Sequence, residues 1–247
     1  MRLAVVSDIH GNLAALEAVV RDFARRGVDG VINLGDSLSG PLRPLETARF
    51  LMGQDWVHLA GNHERQVLTG EPGRWNPSDE FTHAQLTDVE LAWMASLTAC
   101  RRLGDDVLLC HGTPRSDMEY FLETVEGGRV RAATSGEIEQ RLEQADAALI
   151  LCGHTHVPRS VHSRTGQLIV NPGSVGLPAY EASRPEPHVV ENGTPDARYA
   201  LVERRGSAWS ASLLAVPYDH SAASQLARSR QRDDWAYALA TGYARAG

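Results

Sequence analysis

The sequence predicts an α/β fold in which two packed, mixed β-sheets are flanked by helices. Three observations lead to this prediction. Short runs rich in Val, Ile and Leu recur along the 247 residues, as they do in buried strands. In the first half these runs alternate with segments of helical periodicity, which is typical of parallel βαβ units. In the second half they follow one another closely with turn residues between them, which favours antiparallel or mixed pairing.

Eight apolar runs are predicted to form strands. They span residues 3–6, 31–34, 56–60, 107–110, 147–152, 167–170, 199–202 and 211–216. Helical periodicity predicts one helix from residue 13 to a C-cap at Gly27, and a second over residues 45–52 that ends at Gly53. Two further helices begin at capping boxes, in which Glu follows Thr by three residues: Thr87 with Glu90, and Thr134 with Glu137.

The later part of the chain is interpreted more coarsely. Residues 178–198 are rich in Pro, Glu, Asn and Gly, so we expect a long surface loop there. An amphipathic stretch over residues 222–243 predicts a single C-terminal helix. Because no repeat, low-complexity tract or linker interrupts the sequence, residues 1–247 are predicted to form a single domain.

Composition excludes several classes of protein. A net charge of −7 provides no basic surplus to neutralise a nucleic-acid backbone. No apolar run approaches the roughly 18 residues that a membrane-spanning helix needs. Three cysteines without a CxxC pair favour a reducing compartment over a disulfide framework. We therefore expect a cytoplasmic protein that has neither nucleic acid nor membrane as a partner; the oligomeric state is left open.

Residues that commonly bind metals follow five of the predicted strands. In chain order these motifs are Asp8-Ile9-His10, Gly35-Asp36, Gly61-Asn62-His63-Glu64, His111-Gly112 and Gly153-His154-Thr155-His156. The carboxyl ends of strands are where open α/β sheets bind ligands, so these side chains are expected to converge in one cleft. Their imidazole, carboxylate and amide groups suit Mn, Fe, Zn or Ni, and no thiolate is present to favour a softer ion.

Each motif taken alone also has a structural explanation. An Asp-x-His turn can cap a helix, Gly-Asp is a common turn sequence, and His111 after an apolar run could be a buried core histidine. The recurrence of such motifs at five equivalent positions favours a shared metal site.

The ordered set of motifs resembles the calcineurin-like metallophosphoesterases. The match runs from Asp8 to His156, and the later Asn171-Pro172-Gly173-Ser174 is similar to the compact bacterial branch of that family. The resemblance implies a two-sheet sandwich flanked by helices, and a site for two divalent transition-metal ions. Mn²⁺ is the ion expected first, with Fe, Zn or Ni as alternatives.

The resemblance also implies a division of the ligands between the two ions. One ion would be held by Asp8, His10, Asp36 and His156, and the other by Asp36, Asn62, His111 and His154. Asp36 would then bridge two ions that lie about 3.5–4 Å apart. Such a centre keeps a positive charge that attracts phosphate even in an acidic chain.

In the family, a hydroxide that bridges the metals attacks phosphorus in line, and the histidine of Gly-Asn-His protonates the leaving oxygen. By this resemblance His63 is the general acid and Glu64 orients and charges its imidazole. Many relatives have Asp where this chain has Glu64, whose side chain is longer.

Two further residues are candidate substrate contacts. Asn12 is expected either to bind the substrate phosphate or to cap the helix that begins at residue 13. Arg115 is expected either to reach the phosphate or to be an ordinary surface arginine.

These expectations favour a phosphodiesterase that acts on a small phosphoester, such as a nucleotide. Asp36 is followed by Ser37-Leu38-Ser39-Gly40-Pro41, without the Arg-Gly that protein phosphatases and dinucleoside-polyphosphate hydrolases of the family place there. A phosphomonoesterase or nucleotidase is the alternative, although Arg115 is the one obvious extra cation for a dianionic substrate. A non-catalytic scaffold of the same fold is the third hypothesis.

Overall fold

The apolar runs of the sequence form the centres of two five-stranded β-sheets in the computed structural model, which describes residues 1–245. The strands are β1 (Arg2–Val6), β2 (Gly30–Asn33), β3 (Val57–His58), β4 (Cys100–Leu103), β5 (Val107–Cys110), β6 (Glu123–Glu126), β7 (Arg129–Ala132), β8 (Leu149–Leu151), β9 (Arg159–His162), β10 (Leu168–Asn171), β11 (Ala179–Ala182), β12 (His188–Glu191), β13 (Ala197–Arg205) and β14 (Ala208–Val216). The helices are α1 (Leu13–Arg26), α2 (Pro44–Met52), α3 (Asn62–Thr69), α4 (Pro77–Gln85), α5 (Asp88–Ser96), α6 (Ser135–Leu142), α7 (His220–Ser229) and α8 (Asp233–Thr241).

Both sheets are mixed. The first has the order β14-β13-β1-β2-β3, with β1, β2 and β3 parallel and β13 antiparallel to both of its neighbours. The second has the order β4-β5-β8-β10-β9, with a parallel centre of β5, β8 and β10 between two antiparallel edge strands. The predicted fold class, two packed mixed sheets flanked by helices, is confirmed.

Successive side chains of each strand point to opposite faces of its sheet, and this alternation produces three apolar layers. Side chains such as Val5, Ile32 and Leu151 point between the sheets and form a shared core. The opposite face of the first sheet packs on α1 and α2, and the opposite face of the second packs on α6. Burying one such aliphatic side chain contributes about 1.5–3 kcal/mol, so the core between the sheets holds the two sheets firmly together.

Local signals placed several helices correctly. The side chain of Asn12 caps α1, and Gly27 follows its last residue. The Thr87–Glu90 and Thr134–Glu137 capping boxes begin α5 and α6. In each box the Thr oxygen accepts from a backbone N–H of the first turn, while the Glu carboxylate accepts from the N–H of the Thr.

Two expectations about the later chain are wrong. Residues 178–198 contain the antiparallel hairpin of β11 and β12, which pairs Ala179 with Glu191. The predicted C-terminal helix is two helices, α7 and α8, because the chain turns at Gln231 with a left-handed φ of 61°. Residues 246–247, the end of the predicted single domain, lie outside the described residues.

Three more differences concern the first half of the chain. The strand expected at residues 56–60 is reduced to Val57–His58. The helices α3 and α4, which follow this strand, were not predicted. The edge strand β4 was also not predicted.

Across residues 1–245, no helix combines the length and the apolar character required to span a membrane.

Candidate metal centre

The seven predicted ligands lie together at the carboxyl ends of strands from both sheets. The first sheet supplies Asp8, His10, Asp36 and Asn62, and the second supplies His111, His154 and His156. All are buried except His154, which is half-buried. The centre therefore sits across the end of the sandwich.

The ligand atoms form two groups. One atom from each of Asp8, His10 and His156 lies within 4.8 Å of the others, and the same holds for Asp36, His111 and His154. One end of the Asn62 amide lies within 3.2 Å of His111 Nε2, His154 Nδ1 and Asp36 Oδ2, which places it in the second group.

Backbone carbonyls fix the tautomers of all four histidine ligands. The contacts are His10 Nδ1 with Ser39 O (2.7 Å), His111 Nδ1 with Leu34 O (2.9 Å), His156 Nδ1 with Leu177 O (2.8 Å) and His154 Nε2 with Met118 O (3.1 Å). A carbonyl only accepts, so each of these ring nitrogens donates. The other nitrogen of each neutral ring then presents a lone pair to the ligand groups, as in metal-binding histidines.

The polar atoms at the centre fit divalent cations. His10 Nε2 and His156 Nε2 are 3.1 Å apart, and two facing lone pairs repel each other unless a cation lies between them. Asp8 Oδ1 is buried and has no hydrogen-bond partner among the described residues. Unsatisfied buried acceptors of this kind are costly in an apolar interior, whereas a cation satisfies all of them.

The pKa values of the ligands follow from burial and from the two carboxylates. Burial lowers the pKa of His10 to about 3 and that of His154 to about 4, so both rings are neutral at pH 7. Burial also disfavours charge on His111, but Asp36 and Asp8 outweigh it and raise the pKa of this ring to about 10. In the absence of a metal, the proton on His111 Nε2 balances the charges of Asp36 and Asp8. A metal cation at the same position would balance these two carboxylates instead.

The backbone around the ligands is unusual. Five of the seven have left-handed φ angles: Asp8 (55°), His10 (52°), Asp36 (51°), His154 (68°) and His156 (60°). Non-glycine residues adopt this conformation uncommonly and at an energetic cost, and such residues cluster at functional sites. Hydrogen bonds between the loops hold the conformation, including those from Asp8 N to Gly35 O and from His10 N to Asp36 O, both 3.0 Å long.

Gly61 is required for close packing at the centre. A Cβ atom at this position would collide with the Asp36 carboxylate and with the His111 ring. The glycine therefore allows the start of α3 to approach both ligand loops.

His63 faces the cleft from the first turn of α3. Its Nδ1 lies 2.7 Å from Asp79 Oδ1, and its ring is 5.5 Å from the His10 ring. Burial disfavours the imidazolium, but the charges of Asp36, Asp79 and Glu64 raise the pKa of His63 to about 9. The ring is 23% exposed, so a proton on its second nitrogen is accessible from the cleft.

Asp79 orients His63, and the sequence did not identify it. Its side chain is 2% exposed, and its Oδ1 accepts both from His63 and from Ser39 Oγ (2.6 Å). Asn76 donates to the other carboxylate oxygen and also caps α4. In the sequence Asn76-Pro77-Ser78-Asp79 resembles an ordinary helix start, so it contains no signal for a contact with His63.

The expectation that Glu64 orients the His63 ring is wrong, although the charge of Glu64 does help to raise the pKa of His63. The Glu64 carboxylate accepts from the backbone N–H groups of Asp36 (2.8 Å), Ser37 (2.8 Å) and Gly61 (2.7 Å). Consecutive residues of a helix point in different directions, so Glu64 cannot share the orientation of His63. Its role is to join the Asp36 loop to the start of α3.

Neither candidate substrate contact lies on the cleft. The Asn12 side chain accepts from Ala15 N (3.2 Å) and donates to Gly176 O and Tyr218 Oη (both 3.0 Å), so it is a helix cap. Arg115 forms ion pairs with Glu119 and Glu143, and it is absent from the cavity lining.

A cavity of about 880 Å³ opens above the two ligand groups, which is more space than a phosphate group alone fills. Apart from ligands, its lining includes His63, Tyr120, Glu123, Arg141, Tyr180, Arg232 and Trp235. The hairpin of β11 and β12 and the helix α8 therefore contribute to the walls.

Comparisons with known proteins agree with this geometry. The family model of the calcineurin-like phosphoesterase superfamily domain matches residues 1–191. An uncharacterized protein of Methanocaldococcus jannaschii is 24% identical over 258 aligned residues, covering 94% of each chain. The crystal structure of a metallophosphoesterase from Sphaerobacter thermophilus is 25% identical with a TM-score of 0.76, covering 98% of this chain and 99% of the other. A hypothetical protein from Pyrococcus horikoshii shares the fold at 15% identity, with a TM-score of 0.75 and 99% coverage of both chains.

Proposed function

The chain belongs to the calcineurin-like phosphoesterase superfamily, and from that premise we propose that it is a metal-dependent phosphodiesterase. The observation that carries the proposal is the set of four buried or half-buried histidines whose outer ring nitrogens donate to backbone carbonyls. Their other ring nitrogens face Asp8, Asp36 and Asn62, a donor set that suits two transition-metal ions.

In this proposal Asp8, His10, Asp36 and His156 hold one ion, and Asp36, Asn62, His111 and His154 hold the other. The two groups of ligand atoms support the division, and the position of the Asn62 amide supports its place in the second set. Mn²⁺ is our first choice of ion. When bound, the ions would supply an activated water and positive charge against the phosphate.

The side chains of the protein then position the substrate and move a proton. His63 holds a proton on its exposed ring nitrogen and delivers it to the leaving oxygen, while Nδ1 remains bound to Asp79. Asp79 fixes the ring orientation and stabilises the imidazolium. Glu64 holds the Asp36 loop against α3, which keeps His63 at a constant position relative to the ligands.

The ion pairs around the cavity favour diesters over monoesters. Arg232 lines the cavity but is paired with Asp234, and Arg115 is neutralised by two glutamates. Arg141 also lines the cavity, but its Nη1 and Nη2 already donate to Phe121 O, Glu123 O and Thr124 Oγ1. A monoester dianion calls for cationic groups besides the ions, whereas a diester has a single negative charge. A monoesterase or nucleotidase on the same site remains the second candidate, and a non-catalytic scaffold is less favoured because all seven ligand positions and His63 are present.

The test compares bis-p-nitrophenyl phosphate with p-nitrophenyl phosphate at pH 7.5, after loading with Mn²⁺ and measuring bound metal. We expect kcat/KM to be at least about 10-fold higher for the diester, a difference of about 1.4 kcal/mol in transition-state stabilisation. A preference for the monoester would assign a phosphatase instead. Two bound ions with no hydrolysis of either compound would favour the scaffold hypothesis.

A further inference from the structure

The segment that follows β10 contains a motif whose side chains are neither proposed ligands nor proton donors. The segment spans residues 171–177 and begins with Asn171-Pro172-Gly173-Ser174. β10 belongs to the second sheet, whereas Asp8 follows β1 of the first sheet. A contact between the segment and Asp8 therefore joins the two sheets beside the first ion, the one assigned to Asp8, His10, Asp36 and His156.

One buried hydroxyl in this segment links two ligands of the first ion. Ser174 is 2% exposed, and its Oγ donates to Asp8 O at 2.7 Å. The same oxygen accepts from Leu177 N at 2.8 Å, and Leu177 O accepts from His156 Nδ1, also at 2.8 Å. Ser174 thus connects the backbone of one ligand to the carbonyl that orients the ring of another.

Gly176 brings the segment close to the Asp8 loop. Gly176 N donates to Asp8 O and Val175 N donates to Ser7 O, both at 3.0 Å. A Cβ atom at Gly176 would lie 1.8 Å from Ile9 O, so a side chain here would prevent the approach. Asp8 has a left-handed φ of 55°, and these contacts help to hold it in that strained conformation.

The ligands of the second ion are held by other contacts. The Glu64 carboxylate accepts from the backbone N–H groups of Asp36 and Gly61, which fixes the Asp36 loop against the start of α3. In the part of the chain that the structure describes, residues 172–177 form no hydrogen bond with the four ligands assigned to the second ion, which are Asp36, Asn62, His111 and His154. The contacts of Ser174 are therefore confined to the first ion.

We propose that Ser174 is a positioning residue that sets the affinity of the first ion independently of the second. Its hydroxyl holds Asp8 and His156 in a fixed relation across the two sheets, so the first ion meets preorganised ligands. Removing the hydroxyl deprives Leu177 N of this acceptor and Asp8 O of one donor, which loosens both ligands. The inference rests on the proposed division of ligands between the two ions.

The test titrates wild type and Ser174→Ala with Mn²⁺ in a calorimeter. We expect one of the two binding events to weaken by about 10-fold, as when a group that orients a metal ligand is removed. The other should change by less than about twofold, because Ser174 makes no contact with its ligands.

Ser163→Ala is the matched control for this titration. Ser163 is also buried, and its hydroxyl donates to Gln167 Oε1 and accepts from Gln167 N. It precedes β10, at the end of that strand opposite the metal centre. Ser163→Ala should therefore keep both Mn²⁺ affinities, even though a buried hydrogen-bonding serine is lost.

Two variants that each remove a ligand of one ion identify the position that Ser174 controls. His154→Ala removes a ligand of the second ion only, and His10→Ala removes a ligand of the first ion only. Adding Ser174→Ala should weaken Mn²⁺ binding about 10-fold in the His154→Ala protein and leave it nearly unchanged in the His10→Ala protein. A general loss of fold stability would instead weaken binding in both proteins alike.

Unchanged affinities in Ser174→Ala, or equal weakening in the two ligand variants, would overturn the proposal. A wild type that binds a single ion would contradict the division of ligands and the inference with it. A wild type that binds two ions but hydrolyses no phosphoester would contradict the proposed function alone. The role of Ser174 would still be decided in that case, because the titrations measure metal binding without substrate.

Discussion

At the scale of single residues, Asp79 takes the orienting role that the position of Glu64 next to His63 suggests. Glu64 adjoins His63 in the chain but binds backbone N–H groups of two loops. Asp79 is 16 residues away and holds the imidazole. Contact with a histidine on a helix depends on direction from the helix axis, so a neighbour in sequence is poorly placed to orient it.

Asp79→Asn should therefore impair proton donation. We expect kcat to fall about 10–100-fold for diesters with poor leaving groups such as phenolate, and by much less for p-nitrophenolate, which leaves without a proton. The measurement is the dependence of kcat on leaving-group pKa across a series of substituted phenyl methyl phosphates. Glu80→Gln, an exposed position on the same helix, serves as the control.

A uniform loss across that series would contradict the positioning role of Asp79. Bound metal should be unchanged in both variants, because Asp79 contacts no proposed ligand directly.

The ligands themselves could be predicted because each follows an apolar strand in a recognisable motif. The signal is local, and the parallel strands of the sheets bring the motifs to one edge. Asp79 could not be identified in this way. Its significance depends on a contact with a residue distant in sequence, because Asp79 and His63 are 16 positions apart.

At the scale of elements, the capping box of α5 also connects two helices. Hydrogen bonds from Thr87 and Arg49 lower the pKa of Glu90 to about 2, and the Arg49 Nε contact of 3.0 Å joins α2 to α5. The Glu90 side chain is 3% exposed, so these contacts are shielded from water.

Glu90→Gln should destabilise the fold by about 1–3 kcal/mol at pH 7, because charge-assisted hydrogen bonds become neutral ones. The folded pKa lies below the ordinary value of 4.5, so this stabilisation is complete above about pH 4.5 and is lost as the pH falls toward 2. Urea unfolding of wild type and variant at pH 7 and pH 3 measures it.

The difference in free energy of unfolding between wild type and Glu90→Gln should be smaller at pH 3 than at pH 7. An equal difference at both pH values would show that the charge of Glu90 contributes nothing to stability. Glu46→Gln on α2, which is 54% exposed, is the control with little expected effect.

Elements with local signals were predicted well, and elements that depend on tertiary contacts were not. Capping boxes and glycine C-caps act within one helical turn, so they are visible in sequence. The hairpin of β11 and β12 lies in a Pro- and Glu-rich segment and is anchored by contacts outside itself. Tyr120 Oη binds both Tyr180 Oη (2.7 Å) and His188 Nε2 (2.9 Å), which fixes the hairpin against the loop after β5.

At the scale of the whole molecule, each proposed ion takes ligands from both sheets. A metal ion that binds only the folded state stabilises that state by about 2.7 kcal/mol when the free metal concentration is 100 times Kd. For a chain of this size each kcal/mol raises Tm by about 2–4 °C. Mn²⁺ at saturating concentration should therefore raise Tm by about 5–10 °C in calorimetry, and EDTA should reverse the increase.

Asp36→Ala should abolish most of this increase, because Asp36 is assigned to both ions. His162→Ala, an exposed histidine on β9 outside the centre, should retain it. An undiminished increase in Asp36→Ala with full occupancy of two ions would refute the shared-ligand assignment.

The arrangement of ligands on two sheets has a consequence for the apolar core between them. Side chains such as Leu109 and Leu151 set the separation of the sheets, and each lies within three residues of a ligand in the chain. A change of volume in this core displaces His111 and His154 relative to Asp8 and Asp36. We therefore expect the bulk of aliphatic side chains remote from any charge to influence which ion is preferred, so that packing and metal selectivity vary together among related sequences.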